Sequence, residues 1–470
     1  MALQTYISNL SLEKKSAIVF VLATAISSGI NMLTTPLFTR LMPVDSFGVV
    51  QLYNTWYQVI WVFATFSVTY SVVNVGFHNY PKDRMGYLAS SLGFSTCCTF
   101  VVTLLLFLIK GWFEKFSGLN TSLLILMALS FLFLNSTQLW ICLSRYELKY
   151  KAVFWVMTLS GVFASLLSLC LVYNTQSNYA EVRLWGQNLI PLMIGAIIFL
   201  YIVIRGKKFF NKEYWLFILT FNAPLLIHYL SQFVLSSSDR LMINYYCSES
   251  DVAIYSLAYL VSNILMVFFS PINSVIIPRT HKLMDDHNYK EVAGFLYKLL
   301  FFIGAIILCI SLLSTEIISV LGGEQYKAGI KIVPIVSAST LFTVLYLYVA
   351  NIEFLYGKTS RIAAMTIIAA VVNVALNAAL IPLLGFAAAA YTTLIAYIIY
   401  ACLHIRNMQK LSGISIFSNM KLLAICTIIT LACYLSVLIS DVDWLRYTVM
   451  VTIAILCVFN SKSVARMLRN

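Results

Sequence analysis

The run LWGQNLIPLMIGAIIFLYIVI, residues 184–204, decides the fold class of this chain. It contains no charged side chain and ends at the basic stretch that begins with Arg205. A helix needs about 20 apolar residues to cross a hydrocarbon core of about 30 Å. Similar runs recur along the whole chain, and they lack the period-2 alternation of membrane β-strands. The sequence therefore predicts an all-α polytopic membrane protein.

The composition of the chain agrees with this fold class. Of 470 residues, 61% are hydrophobic and 10% are charged, whereas soluble domains have about 25% charged residues. We predict about 12–14 transmembrane helices, arranged as two six-helix lobes and a C-terminal extension. The predicted spans are 16–35, 46–70, 87–109, 120–143, 152–173, 184–204, 214–238, 252–277, 292–315, 332–356, 362–382, 386–404, 420–440 and 445–461. The lobes are predicted at 1–205 and 206–411, and the extension of two helices and a tail at 412–470.

The distribution of basic residues predicts the orientation in the membrane. The chain has 31 Lys and Arg against 18 Asp and Glu, for a net charge of +13. When the loops are assigned alternately to the two sides, most Lys and Arg fall on one side and more than half of the acidic residues on the other. The positive-inside rule then places both termini in the cytoplasm. The basic excess is thus an orientation signal and a lipid anchor, and nucleic acid is not expected as a partner.

Two stretches at the starts of the two halves share a pattern. The first is Phe38-Thr-Arg-Leu-Met, followed by Asp45-Ser-Phe-Gly, and the second is Ser238-Asp-Arg-Leu-Met, followed by Asp251-Val-Ala-Ile-Tyr. Such a parallel repeat predicts lobes related by an axis along the membrane normal, an arrangement found in alternating-access carriers. Chance similarity between helices of biased composition is the alternative interpretation.

Polar side chains inside the predicted spans mark candidate binding surfaces, because a charge at mid-bilayer costs roughly 2.5–3.5 kcal/mol. Their spacing places them on one side of each helix. Tyrosine and amide groups suit sugars, since aromatic faces stack on pyranose rings and amides bond hydroxyls. Hydrogen bonding between neighbouring helices is the alternative. The candidates are Gln51, Asn54 and Gln58 in the second span, Asn222 and Gln232 in the seventh, Tyr255, Tyr259 and Asn263 in the eighth, and Asn373 and Asn377 in the eleventh.

Arg40 and Arg240 occupy matching positions in the repeat and are candidates for binding phosphate. A guanidinium offers a fixed fork of donors that fits phosphate oxygens and keeps its charge. The alternative is an anchor at the outer interface, or an ion pair with Asp45 or Asp239. Asp239 is itself a candidate site residue, but adjacent helical residues point about 100° apart, so we expect it to be a poor partner for Arg240.

Glu353 and His228 are the candidates for binding a coupling ion. Glu353 lies close to the inner end of its span, so snorkelling to the interface is the alternative role. Imidazole is the side chain whose ordinary pKa lies nearest neutral pH, so His228 is a candidate for binding a driving proton, and hydrogen bonding to a neighbour is its alternative role. The sequence has no P-loop and no clustered metal ligands, so neither a cofactor, a metal nor an enzymatic activity is expected.

Three stretches resemble the Wzx-type O-antigen flippases. They are Thr35-Pro-Leu-Phe-Thr-Arg-Leu-Met-Pro-Val-Asp-Ser-Phe-Gly-Val, Ser238-Asp-Arg-Leu-Met-Ile-Asn and Val252-Ala-Ile-Tyr-Ser-Leu-Ala-Tyr. These flippases are polysaccharide transporters of the superfamily that also contains lipid II flippases and multidrug MATE carriers. Family members often have twelve helices, so the two C-terminal spans are a departure.

The resemblance implies a protein of the bacterial inner membrane with a central cationic cavity. By alternating access it would move undecaprenyl-pyrophosphate-linked repeat units from the cytoplasmic to the periplasmic leaflet, for O-antigen and lipopolysaccharide biosynthesis. Its implied partners are the lipid-linked oligosaccharide and membrane lipids. Contacts with a polysaccharide polymerase and chain-length machinery are left open, as are the glycan, the coupling ion and the oligomeric state.

Two other functions compete with this interpretation. A cation-coupled antiporter of small molecules or drugs would need acidic residues deep in the lobes, and only Glu353 lies well inside a predicted span. An O-antigen polymerase or ligase would need a large periplasmic loop for its chemistry, and all loops in this sequence are short.

Overall fold

The computed structural model describes residues 12–453 and residue 455, and all regular secondary structure in these residues is helical. The predicted all-α class is therefore confirmed. Within the described part, 11 helices are long and apolar enough to cross a membrane. The helices are α1 (Leu12–Leu41), α2 (Val44–Ala64), α3 (Val72–Asn79), α4 (Arg84–Leu108), α5 (Lys110–Ser117), α6 (Thr121–Tyr146), α7 (Tyr150–Asn174), α8 (Tyr179–Gly206), α9 (Lys212–Tyr246), α10 (Glu249–Asp285), α11 (Tyr289–Leu312), α12 (Ser314–Leu321), a 3₁₀ helix (Glu324–Lys331), α13 (Val333–Leu355), α14 (Thr359–Leu384), α15 (Ala388–Ser412) and α16 (Asn419–Leu438).

Two of the predicted spans, 46–70 and 252–277, correspond to α2 and α10, which are not among these 11 helices. Both helices carry the polar stripes described above. The last predicted span, 445–461, lies partly outside the described residues, and its described residues, 445–453 and 455, are helical.

The chain forms two compact units, Met1–Phe233 and Val234–Asn470, and the division falls inside α9. In the first unit α1 packs against α7, and α8 packs against both α6 and α7. Trp61 and Phe131 belong to one apolar cluster of this unit, and Phe77 and Tyr87 to another. The rings of Trp61 and Phe131 pack α2 against α6, and those of Phe77 and Tyr87 pack α3 against α4.

Small residues allow α6 and α8 to approach each other closely. A methyl group added at Gly195 would lie 2.3 Å from the Phe133 carbonyl oxygen. The Ser136 hydroxyl lies 2.7 Å from the Gly195 carbonyl oxygen and donates to it. Close backbone approach of this kind drives helix association in lipid, where the hydrophobic effect between helices is absent.

The second unit is built around α13. This helix packs against α10, α11, α15 and α16, and 83% of its span is buried. The Tyr348 hydroxyl donates to the Val292 carbonyl at 3.0 Å, and the hydroxyls of Ser262 and Ser337 lie 2.9 Å apart. A polar group on α13 must therefore find its partner inside the protein.

The predicted span 46–70 is interrupted, which the sequence did not indicate. Helix α2 ends at Ala64, and Phe66 and Ser67 adopt left-handed backbone angles with φ of 53° and 50°. For residues other than glycine such angles cost about 1–3 kcal/mol. The Asn222 amide donates to the Phe66 carbonyl, and the Thr99 hydroxyl donates to the Ala64 carbonyl at 2.8 Å. Side chains of other helices thus satisfy the broken backbone, and no Gly or Pro is needed at the break.

Candidate functional site

A buried carboxyl and imidazole pair joins α13 and α15 in the second unit. Glu353 Oε2 lies 2.5 Å from His404 Nδ1. The Asn407 amide donates to Glu353 Oε1 at 2.7 Å. His404 and Asn407 are three residues apart and therefore lie on one face of α15. Both Glu353 and His404 have 0% exposure, so the pair is fully withdrawn from solvent.

Aromatic side chains surround the imidazole. The Tyr400 ring is centred 4.6 Å from the His404 ring and meets it edge-on, and the Tyr346 ring is 5.6 Å away. The Tyr400 hydroxyl lies 2.9 Å from Thr366 Oγ1 on α14. In such a setting an unpaired charge is very costly. The resting pair must therefore be neutral overall.

The Glu353 side chain does not snorkel to the membrane interface, so that alternative is wrong. Helix α13 is the central helix of its unit, and the carboxyl group has partners in the interior. Sequence reasoning missed His404 and Asn407. A signal was present, since Tyr397, Tyr400, His404 and Asn407 recur at helical spacing. They form a polar stripe that begins in the twelfth predicted span and continues past its predicted end at residue 404.

Asp239 and Arg240 form a second buried cluster in the same unit. The Tyr255 hydroxyl donates to Asp239, which is 1% exposed. Arg240 Nη1 lies 3.4 Å from Asp239 Oδ1, and the guanidinium lies 4.5 Å from the centre of the Tyr259 ring. The expectation that these neighbours are poor partners is wrong, because the long arginine side chain folds back to the carboxylate. Tyr255 and Tyr259 are buried in this cluster and do not face open space.

Asn373 and Asn377 on α14 are both fully buried. The Asn377 amide donates to Asn373 Oδ1 at 3.1 Å, and the Ser238 hydroxyl donates to the same oxygen at 3.2 Å. The Thr392 hydroxyl donates to Asn377 Oδ1. These bonds connect α14 with α9 and α15, as in the helix-bonding alternative. A direct contact of either asparagine with a substrate stays a prediction.

The two arginines of the repeat have the same local geometry. Arg40 Nη1 donates to the Pro36 carbonyl at 2.9 Å, and Arg240 Nη1 donates to the Ser236 carbonyl at 3.1 Å. Each guanidinium therefore bonds the carbonyl four residues earlier on its own helix. They differ in burial, because Arg40 is exposed whereas Arg240 is half-buried.

The polar stripe of α2 lies on the open side of that helix. Asn54 and Gln58 are exposed and Gln51 is half-buried. On the other side, Leu52 and Ile60 are buried in the first unit.

The remaining candidates are dispersed. Asn263 on α10 is exposed, and Asn222 is buried at the α2 break. His228 Nε2 lies 3.4 Å from the amide nitrogen of the exposed Gln232. Among the described residues, no group of three or more His, Cys, Asp or Glu side chains is placed to hold a metal ion.

A cavity of about 530 Å³ lies within the second unit between α13, α15 and α16. Most of its lining is apolar, as at Leu345, Cys402 and Leu423, and Arg406 and Gln409 supply polar groups.

Family models match most of the chain. The model described as polysaccharide biosynthesis protein matches residues 14–284, and the MatE model matches residues 224–379. The chain is 21% identical over 375 residues to a protein of the Lsg locus of Haemophilus influenzae, covering 77% of this chain and 89% of the relative. It is 23% identical over 419 residues to an uncharacterized membrane protein of Methanocaldococcus jannaschii, covering 82% of each.

Solved structures share the fold at low sequence identity. The lipid II flippase MurJ in an inward closed conformation has a TM-score of 0.69 and 13% identity, covering 95% of this chain and all of that one. An inward-facing multidrug resistance MATE family transporter of the MOP superfamily has a TM-score of 0.60 and 15% identity, covering 85% of this chain and 99% of that one.

Proposed function

The chain belongs to the polysaccharide biosynthesis protein family, and from this membership we propose that it is a flippase for lipid-linked oligosaccharides. Its substrate would be an undecaprenyl-pyrophosphate-linked repeat unit, moved from the cytoplasmic to the periplasmic leaflet of the bacterial inner membrane by alternating access. The product would serve the assembly of O-antigen or another surface polysaccharide. Likeness of fold to a lipid II flippase supports transport of a lipid-linked sugar.

The observation that carries this proposal is the exposed amide stripe of α2. Asn54 and Gln58 are exposed while Leu52 and Ile60 on the other side are buried. Exposed amides on a membrane helix are costly against lipid, so they favour a water-filled surface. Amide groups donate to and accept from sugar hydroxyls. The stripe therefore suits the polar headgroup of such a substrate.

Two further features fit the rest of the substrate. Arg40 is exposed and offers a guanidinium to the pyrophosphate. The carboxylate of Asp239 partly balances the charge of Arg240. The apolar cavity between α13, α15 and α16 suits a polyprenyl chain, and Arg406 in its lining suits a phosphate.

Cysteine labelling tests the proposed surface. In a background without the 10 native cysteines, single cysteines at Asn54 and Gln58 should react with a small water-soluble maleimide. Matched cysteines at Leu52 and Ile60 should not. Labelling at Asn54 and Gln58 should also fall in cells that accumulate lipid-linked oligosaccharide, because the glycan occupies the same space. Equal reactivity at all four positions contradicts the proposal.

A cation-coupled antiporter of small molecules is the second candidate. It is favoured by the MatE match and by two buried carboxyl groups, Asp239 and Glu353, where the sequence had indicated only one. Deletion of the chain separates the two functions. If the chain is a flippase, its deletion should abolish surface polysaccharide and leave lipid-linked repeat units in the cytoplasmic leaflet. If it is an antiporter, its deletion should change only the resistance of the cells to cationic compounds.

A further inference from the structure

We propose that Glu353 and His404 form the binding site of a coupling proton, with Asn407 stabilising the deprotonated form. This inference rests on the proposed transport function, because coupling has a meaning only in a carrier. It extends the role of Glu353 to a three-residue unit whose other two members are on α15.

The proton balance of the pair follows from its contacts. In the neutral state one proton lies between Glu353 Oε2 and His404 Nδ1, which are 2.5 Å apart, and Nε2 carries the other imidazole hydrogen. Transfer of the shared proton to Nδ1 produces a carboxylate and an imidazolium, with no change in net charge. Loss of the Nε2 proton then leaves a carboxylate that accepts hydrogen bonds from Nδ1 and from Asn407. One proton is thereby released through the imidazole, and the reverse sequence binds one.

The second imidazole nitrogen distinguishes this pair from a structural hydrogen bond. His404 Nε2 is buried and has no hydrogen-bond partner among the described residues. Leaving a buried polar atom unsatisfied costs about 1–3 kcal/mol, so a purely structural histidine would be expected to use both nitrogens. An open nitrogen is what a proton relay requires, because a second acceptor or water must reach it when the site opens.

Few other titratable groups surround the pair. Tyr346 on α13 and Tyr400 on α15 contact the imidazole through their rings, and His281 on α10 bonds the Asn351 carbonyl nearby on α13. Helices α11, α14 and α16 supply no hydrogen bond or ion pair to either side chain within the described residues. Without a compensating charge, the deprotonated pair carries one buried negative charge. Proton release is thus favoured only when the site opens to water.

Infrared difference spectroscopy on the purified full chain, in vesicles of bacterial phospholipid, tests the site without any knowledge of the glycan. Spectra recorded between about pH 5 and pH 8, the range in which the charge of imidazole ordinarily changes, should contain a protonated carboxyl band. Glu353→Gln should remove the Glu353 component of this band, and only a component from the buried Asp239 carboxyl group can remain. His404→Gln should shift its midpoint by at least about one pH unit, a tenfold change in proton affinity. Glu291→Gln, at an exposed carboxyl group, is the matched control and should retain the band.

An unchanged band in Glu353→Gln, or an unchanged midpoint in His404→Gln, overturns the proposal. Each variant is first checked for a monodisperse elution profile. If one of the single variants fails to fold, the exchange of Glu353→His with His404→Glu retains both groups and should still titrate; a spectrum without titration in that variant also overturns it. Surface polysaccharide in cells is measured separately. If the pair titrates but deletion of the chain leaves surface polysaccharide normal, the proton site is supported and the flippase function is contradicted.

Discussion

Replacing Arg40 by Glu is the most direct test of the proposed pyrophosphate contact. Arg40 is exposed, and substitutions at exposed positions usually change stability by less than about 0.5 kcal/mol. A charge-assisted hydrogen bond to phosphate is worth about 1.5–3 kcal/mol, which corresponds to about 10- to 150-fold in binding. We therefore expect Arg40→Glu to reach the membrane normally and to lose most surface polysaccharide, with partial recovery in Arg40→Lys.

The same replacement at Arg240 should behave differently because of its neighbours. Arg240 Nη1 lies 3.4 Å from the buried Asp239 carboxylate, so Arg240→Glu would place two carboxyl groups together. Breaking a buried ion pair costs about 3–5 kcal/mol, a large part of the 5–15 kcal/mol that stabilises a typical domain. The protein itself should then be lost. The double variant with Asp239→Asn and Arg240→Gln removes both charges and should restore the amount of protein.

Immunoblots of membranes and gels of surface polysaccharide separate these outcomes, and accumulation of lipid-linked oligosaccharide measures the block in transport. Lys115→Glu, a charge reversal at another exposed position, is the matched control and should leave polysaccharide unchanged. Normal polysaccharide in Arg40→Glu would refute the phosphate role of that residue.

Three further predictions concern the fold. Gly195→Ala should destabilise the first unit by about 1–3 kcal/mol, because its new methyl group lies 2.3 Å from the Phe133 carbonyl oxygen. Gly111→Ala is the control and should not destabilise the protein, because the new methyl group there enters open space. Equal thermal unfolding of the two variants in detergent would contradict this prediction. Burial raises the pKa of Asp83, but hydrogen bonds from Lys208 and Tyr214 lower it more, so it lies below its usual value. The ionised carboxyl group should therefore stabilise the fold at pH values above its unfolded pKa of about 3.9. This stabilisation should disappear as the pH falls through the lower, folded pKa, and it should amount to less than about 1 kcal/mol because the Asp83–Lys208 pair is largely exposed. Asp83→Asn should flatten this part of an acid unfolding curve. Reporter fusions after residues 115 and 208 should read as periplasmic and cytoplasmic, respectively, and matching signals would mean that the span count is wrong.

The sequence predicted the site residues unevenly. Glu353 is conspicuous in the sequence because it is a charge inside an apolar run. His404 and Asn407 lie on a different helix, and nothing in their local sequence indicates the contact with Glu353. Ideal helix geometry gives the directions in which Asp239 and Arg240 leave the backbone but not the reach of the long arginine side chain, so it does not predict their ion pair.

The sequence alone determined the class of protein. The long uncharged runs require helices, because lipid offers no hydrogen-bond partners and each segment must satisfy its own backbone groups. Most helix ends follow from the positions at which polar residues resume after an apolar run. It also predicted which side of α2 is polar, since that depends only on helical spacing. Only the tertiary structure decided which polar groups meet. Helix α13 became the centre of its unit, and that packing turned Glu353 from an interfacial charge into a buried one paired with His404. The break after Ala64 likewise depends on Asn222, a residue far away in the chain. The local sequence pattern indicates which environment each face of a helix prefers. Which side chains on different helices contact each other depends on which helix faces pack together.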